Sequence, residues 1–470
     1  MSIRRFGVFI ALAVTLTTGC REPDRPTGLD GEGSVYVDSD PQGAKISVDG
    51  KGTGLVTPAL VRGLSYRGHD IEVVLETDGL RYGYAVIDFE VRRDATDTIT
   101  GPLLLRCADA ECRAAINKTH RPAGMSGPSF VTNPSGTLLF VDGSGGGLVW
   151  PASTTNSYIA NAAPLFAGVV GTTTEPTPLA LGLYNVMGTD TYLAGRPVPV
   201  VRSDANGWTL EQTTWILPPP LTLQTVTVRG IALEQKVFVP AGVDDLLIVR
   251  TVFRNITGDA SYALMDPLMP EGGVTFDQAW VGFAVDADIG PTADDDMLSY
   301  APDLDLAFIY DGNFRETGFT GGWADRPAMV GLRVLEAPAG STVVLNGWPS
   351  SADWLAGKTL NNGLQEGHGW FVINATQTFL PNHADPRIGY FSDNGADMRM
   401  VASAGPLTLA PGDTAVLTVA IVLAPPQAGS YTPGTVVAAG DPTDAARQIL
   451  QVAAPLLARA KAAESLLPPD

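Results

Sequence analysis

Between residues 128 and 426 no stretch holds a helical period of useful length, while short apolar runs recur between Gly, Pro and Asp. Such a pattern restricts a chain to β architecture, because strands need only four to eight residues and turn residues must separate them. Residues 221–228, 233–239, 246–253, 280–285, 304–310, 330–335 and 415–423 read as strands. The run Leu246-Leu247-Ile248-Val249 does not alternate, which marks a strand covered on both faces. Many short strands with frequent turns predict a sandwich. The 52 glycines and 36 prolines follow no period and suit those turns. The fold class expected is mainly β: a small antiparallel β domain, a large β-sandwich-type domain at 128–426, and a C-terminal linker and helix at 427–470.

Ahead of the strands lies an address. Arg4 and Arg5 precede an apolar run at residues 6–16, and Thr17-Thr18-Gly19-Cys20 follows. A charged start, a short apolar stretch and small residues before a cleavage point define a secretory signal, here residues 1–19. The run is too short to cross a bilayer, which takes about 20 residues. The ending resembles the bacterial lipobox, with Leu16 one place further out than usual; the resemblance implies lipidation of Cys20. Arg21 after the cysteine favours the outer membrane by the same resemblance. Residues 20–32 are nearly free of apolar side chains and form a tether. Net charge is −20, or about −22 without the two arginines of the signal, which argues against nucleic acid as a partner. Lipidation uses one of three cysteines. The other two, Cys107 and Cys112, sit close together in a linker at 106–127, and in an oxidising compartment such a pair reads as a disulfide.

From Gly33 the chain alternates. Ser34 to Asp38 and Ala44 to Val48 are strand-like, and Asp49-Gly50 is a hairpin signal. The series Ser39-Asp40-Pro41-Gln42-Gly43-Ala44, Val48-Asp49-Gly50-Lys51, Gly54, Thr57-Pro58 and Gly68-His69 resembles the PEGA domain over residues 33–105, with Gln42 in place of the family's Glu. The resemblance implies a small antiparallel β module with a binding or structural role on a bacterial surface. A lone His69 beside a turn reads as solvated.

Further stretches resemble a family of large bacterial secreted and surface proteins. They are Gly145-Gly146-Gly147-Leu148-Val149-Trp150-Pro151 with Asn156 and Tyr158, then residues 244–250 leading to Asn255. After these come residues 286–290 with Asp294-Asp295, residues 310–313, and residues 405–413. This resemblance implies architecture and compartment without an activity.

Residues 441–467 hold the helical segment. Asp441-Pro442-Thr443-Asp444 supplies a cap and an acidic first turn, Ala445, Ile449, Val452, Ala453 and Leu456 share a face, and Pro455 should kink or break it.

Motifs of catalysis are missing. The chain has four histidines, His69, His120, His368 and His383, and neither a Gly-x-Ser-x-Gly elbow nor a His-Glu-x-x-His pair. Fifty acids make it impossible to single out a glycosidase pair, and Trp150, Trp208, Trp348 and Trp370 read as core plugs before sugar platforms. The function expected is that of a lipid-anchored envelope protein, binding or structural, with an envelope protein or polysaccharide as partner. The alternative is a surface polysaccharide hydrolase. One segment invites a cation: Asp286, Asp288, Asp294, Asp295 and Asp296 offer five carboxylates between two strands, and Ca²⁺ takes hard oxygen ligands.

Overall fold

The computed structural model describes residues 33–77, 79–93, 95–99, 102–109, 111–112, 128–130, 147–170, 179–180, 200–216, 230–263, 269–291, 293–349, 389–390, 395, 397–437 and 442–467. The signal, Cys20, the tether, the strand expected at 221–228, His120, His368, His383 and Trp370 lie outside these residues.

The small unit is antiparallel almost throughout. Gly68–Thr77 pairs with Leu80–Glu90 on one side and Lys45–Val48 on the other. Gly33–Val37 pairs with Ala59–Leu64 in a second sheet. Alternation selects the core: Val35, Val37, Ile46, Val48, Ile71 and Val73 are buried together, while Tyr36 between two of them is exposed. The Asp49-Gly50 signal forms its hairpin. Both residues have positive φ, 49° and 73°, and Val48 pairs with Lys51 across the turn. The unit extends past the boundary expected at 105: Arg106–Cys107 pairs with Gly83 and Tyr82, and Cys112 packs in the core. Linker and β structure therefore overlap there.

Among the described residues the large region has two large sheets and a small one of Ser129–Phe130, Leu148–Val149 and Ser157–Ile159. Five strands run in the order Leu179–Ala180, Asn161–Val170, Phe276–Ala287, Met398–Leu409 and Thr342–Pro349. Nine strands run in the order Val200–Asp204, Gly207–Ile216, Ile231–Pro240, Leu246–Asn255, Thr414–Ala424, Met329–Glu336, Leu306–Asp311, Asp296–Ala301 and Gly389–Tyr390. Leu306–Asp311 starts two residues later than expected, because Pro302–Leu304 forms a 3₁₀ turn closed by Asp305 at φ 47°.

Side-chain alternation in the nine-stranded sheet makes three layers. Leu247, Val249, Leu417, Val419, Ile421 and Leu423 meet Val281, Phe283, Val285, Met400 and Ala402 of the smaller sheet in one core. Their neighbours Leu246, Ile248, Ala420 and Val422 face the other way, into a second core with Ile449, Val452, Leu456 and Ala460. The non-alternating run at 246–249 is thus apolar because both its faces are covered, as read from the sequence. The C-terminal segment is two helices, Pro442–Val452 and Ala454–Ala462. They part at Ala453, just before Pro455, which lacks an N–H for the ladder and sits in the first turn of the second helix. Gly331 lets this layer approach: a Cβ there would lie 2.9 Å from Leu306 Cδ1 and 3.5 Å from Leu456 Cδ1. The apolar stripe thus packs on the β block, as expected of it, and forms the outer layer of a β/β/α arrangement.

Candidate functional site

The motif residues of the small unit are hydrogen-bonding pins. The Ser39 and Thr57 hydroxyls lie 2.6 Å apart, and Thr57 Oγ1 accepts the Ala44 N–H at 3.0 Å. His69 is buried and bridges two segments, in contrast to the solvated position read from sequence. Its Nδ1 is 2.9 Å from Asp49 Oδ2 and its Nε2 is 2.9 Å from the Ser65 carbonyl oxygen. The hydrogen bond with His69, followed by the Asp70 N–H, holds the Asp49 carboxyl below the usual range. Ser65 Oγ lies further from Nε2, at 3.4 Å, so the carbonyl takes the better position and the serine gains no base.

In the large region the quoted motifs also mark joints. Asn156 donates to the Thr320 carbonyl at 3.2 Å and accepts the Thr320 N–H at 2.8 Å. Tyr158 is fully buried and its hydroxyl accepts the Ala328 N–H. Asn255, also fully buried, donates to the Val274 and Leu409 carbonyls and accepts from Thr257, tying three chain segments. Trp150 is buried with its Nε1 on the Asp244 carbonyl, and Trp208 is buried against Phe130. Both tryptophans plug the core, as their residue type favours.

The acidic segment lies where the chain leaves the smaller sheet for the larger one. Asp286 is the penultimate residue of the strand Phe276–Ala287, opposite Asn161 on one neighbour and Arg399 on the other. Arg399 Nε is 3.0 Å from Asp286 Oδ1, and both side chains are largely buried. Asp288 follows, and Asp397 comes just before Met398–Leu409. Ligand atoms of Asp286, Asp288 and Asp397 all lie within 4.8 Å of one another. Burial, then the Asp286 and Asp397 charges, push the Asp288 carboxyl up to about 7.

Two more carboxylates lie on the hairpin that follows. Asp296 and Asp311 face each other as the end pair of the hairpin formed by Asp296–Ala301 and Leu306–Asp311. Asp296 is completely buried; its Oδ2 accepts the Ile289 N–H at 3.0 Å, and burial raises its carboxyl well above the ordinary range. Burial followed by the Asp295 charge pushes Asp311 up to about 6, while its Oδ1 accepts the Asn313 and Arg315 N–H groups. Asp295 turns aside to Asn313 Nδ2 at 2.6 Å, and Asp294 is exposed. Of the five acids named from sequence, Asp286 and Asp288 join the trio, whereas Asp296 stands opposite Asp311, Asp295 turns to Asn313 and Asp294 is exposed. Asp397 and Arg399 escape a local reading, because only strand pairing brings them to Asp286 and Asp288.

Cys112 is disulfide-bonded. The side chain of Cys107, its expected partner, lies outside the described residues.

Residues 32–97 match the PEGA domain. The chain therefore carries this module at its first β unit, in agreement with the motif reading. No curated protein matches the chain in sequence. Among solved structures it is similar to a heparinase III at TM-score 0.21 and 9% identity, over 48% of this chain and 21% of that one. It is similar to a proposed aldose 1-epimerase from Escherichia coli K12 at TM-score 0.28 and 9% identity, over 65% and 99%. It is similar to the heparan sulfate lyase HepC from Pedobacter heparinus at TM-score 0.21 and 8% identity, over 78% and 34%. This chain thus spans only part of the heparinase and HepC lengths.

Proposed function

We propose that this chain is a lipid-anchored protein of the bacterial cell envelope, held at the outer membrane through Cys20, whose PEGA module and β/β/α region serve binding or structure. The PEGA match at residues 32–97 is the observation that carries the reading. It supports a surface or binding role and stands directly after the tether that follows Cys20. The partner class is an envelope protein or polysaccharide. An oxidising compartment also accommodates the Cys107–Cys112 pairing that the sequence suggests. Among the described residues no helix is long and apolar enough to cross a membrane. Acyl chains on Cys20 supply the attachment instead, and two or more give a firm hold.

Palmitate labelling tests the anchor. The native chain should take up label and fractionate with the outer membrane. Cys20→Ala should lose the label and leave the precursor unprocessed. Label retained in Cys20→Ala would overturn the assignment.

A further inference from the structure

Two carboxyls meet at the open end of a hairpin. Asp296 and Asp311 are opposed across Asp296–Ala301 and Leu306–Asp311, and just beyond them the Gly312 N–H donates to the Asp295 carbonyl at 2.9 Å. Backbone bonds alternate along an antiparallel ladder, so a bond at Gly312 makes Asp296 and Asp311 a non-hydrogen-bonded pair. In such pairs the Cα atoms stand only about 4.5 Å apart and the side chains lie close together. Both side chains are out of solvent, at 0% and 1% exposure.

One oxygen of each carboxyl is already held. Asp296 Oδ2 accepts the Ile289 N–H at 3.0 Å, and Asp311 Oδ1 accepts the Asn313 and Arg315 N–H groups at 2.9 and 3.1 Å. The other two oxygens, Asp296 Oδ1 and Asp311 Oδ2, are buried and have no hydrogen-bond partner. An ionised carboxylate only accepts hydrogen bonds, whereas a protonated one also donates. Among the described residues the charges that act on the pair are all acidic: Asp288 in the turn before the hairpin, Asp295 beside it and Glu316 in the loop after it. Arg315 turns its guanidinium to Asp325.

We infer that Asp296 Oδ1 and Asp311 Oδ2 share one proton, and that this O–H···O bond latches together the two loops at the open end of the hairpin. A single proton satisfies both remaining oxygens at once. It leaves one negative charge on the pair, and the Ile289, Asn313 and Arg315 N–H groups converge on it. Two carboxyls in this position do not both ionise at neutral pH, and the raised ranges of Asp296 and Asp311 agree. The latch ties the turn through Ile289 to the loop through Asn313 and Arg315. Loss of the proton in alkali sets two buried charges side by side and loosens both segments.

The test is an infrared difference titration of the full mature protein, which reads the carbonyl stretch of protonated carboxyls as pH rises. The native chain should keep such a band at neutral pH and lose it in alkali. In Asp311→Asn the carboxyl of Asp296 should titrate lower by about one pH unit or more, because its anionic partner is gone, and Asp311 should shift likewise in Asp296→Asn. Asp294→Asn, which changes an exposed acid outside the pair, should titrate as the native chain does. Amide protection at Asn313 and Arg315, corrected for intrinsic exchange, should fall about tenfold in the native chain once the band is lost. Circular dichroism identifies any variant that fails to fold; should both do so, the native band and its amide protection decide. Absence of the band at neutral pH would overturn the inference. So would an Asp296 titration unchanged in folded Asp311→Asn, which would mean that burial alone retains the proton, or amide protection that ignores loss of the band.

Discussion

Arg333→Ala should cost the large region about 3 kcal/mol, the sum expected when two buried acceptors lose their donor and a long side chain loses its packing. Arg333 projects from Met329–Glu336 toward the helical layer and is almost fully buried. Its Nε donates to the Leu304 carbonyl at 2.9 Å, its Nη1 to the Ala460 carbonyl, and its Nη2 to Glu464. One planar guanidinium thus joins the sheet, the 3₁₀ turn and the last turn of a helix, whose carbonyl end favours a cation. Glu464 is mostly exposed, so its ion pair is screened and Glu464→Ala should cost less than about 1 kcal/mol. Arg333→Lys should recover only part of the loss, since an ammonium cannot span three acceptors in this plane. Urea unfolding followed by tryptophan fluorescence measures these differences, and all eight tryptophans lie within residues 150–370, outside the PEGA module. A midpoint for Arg333→Ala equal to that of the native chain would show that the helices are held by apolar contact alone.

A second large effect concerns pH. In chelator, the stability of this region should fall as pH rises from about 4 to about 7. Asp311, at about 6 in the folded chain, stands near 3.9 when unfolded. A group raised in this way binds more protons in the native state, so its contribution is complete below about pH 4 and is lost as pH passes through the folded value. For Asp311 the loss is roughly 3 kcal/mol by pH 7. Asp296 and Asp288 act in the same direction. Asp49 and Asp97 of the PEGA module have lowered carboxyls, so their contribution is present above about pH 4 and disappears below it, in a separate window. Asp311→Asn should flatten part of the decline seen by tryptophan fluorescence. A profile that rises between pH 4 and 7 would contradict the burial of these carboxyls.

How far the sequence speaks depends on the range of the interaction. Asp49-Gly50 makes its hairpin because the two positive φ values are a local property of those residue types. The run at 246–249 is equally readable, since a strand between two apolar layers has no reason to alternate. Pro455 breaks its helix for a reason contained in its own ring. The third layer is legible in part: the stripe of Ile449, Val452 and Leu456 shows that a helix must pack on the β block, without showing which strands receive it. His69 reads as solvated because Ser65 and Asp49 become its neighbours only after two hairpins form. The carboxylate cluster divides along the same line. Asp286 and Asp288 stand together in the sequence, whereas Asp397 and Arg399 arrive through strand pairing more than a hundred residues away.

The proposed role is tested most directly by incubating protein expressed from residue 21 onward, without signal or lipid, with isolated native envelopes, then measuring bound protein by sedimentation and released sugar by a reducing-end assay. Removing the lipid leaves the protein surface as the only route to attachment. Saturable co-sedimentation is expected, with no increase in reducing ends over time. Steady release of reducing sugar that disappears in Asp288→Asn, or a protein that stays in the supernatant at every concentration, would contradict it.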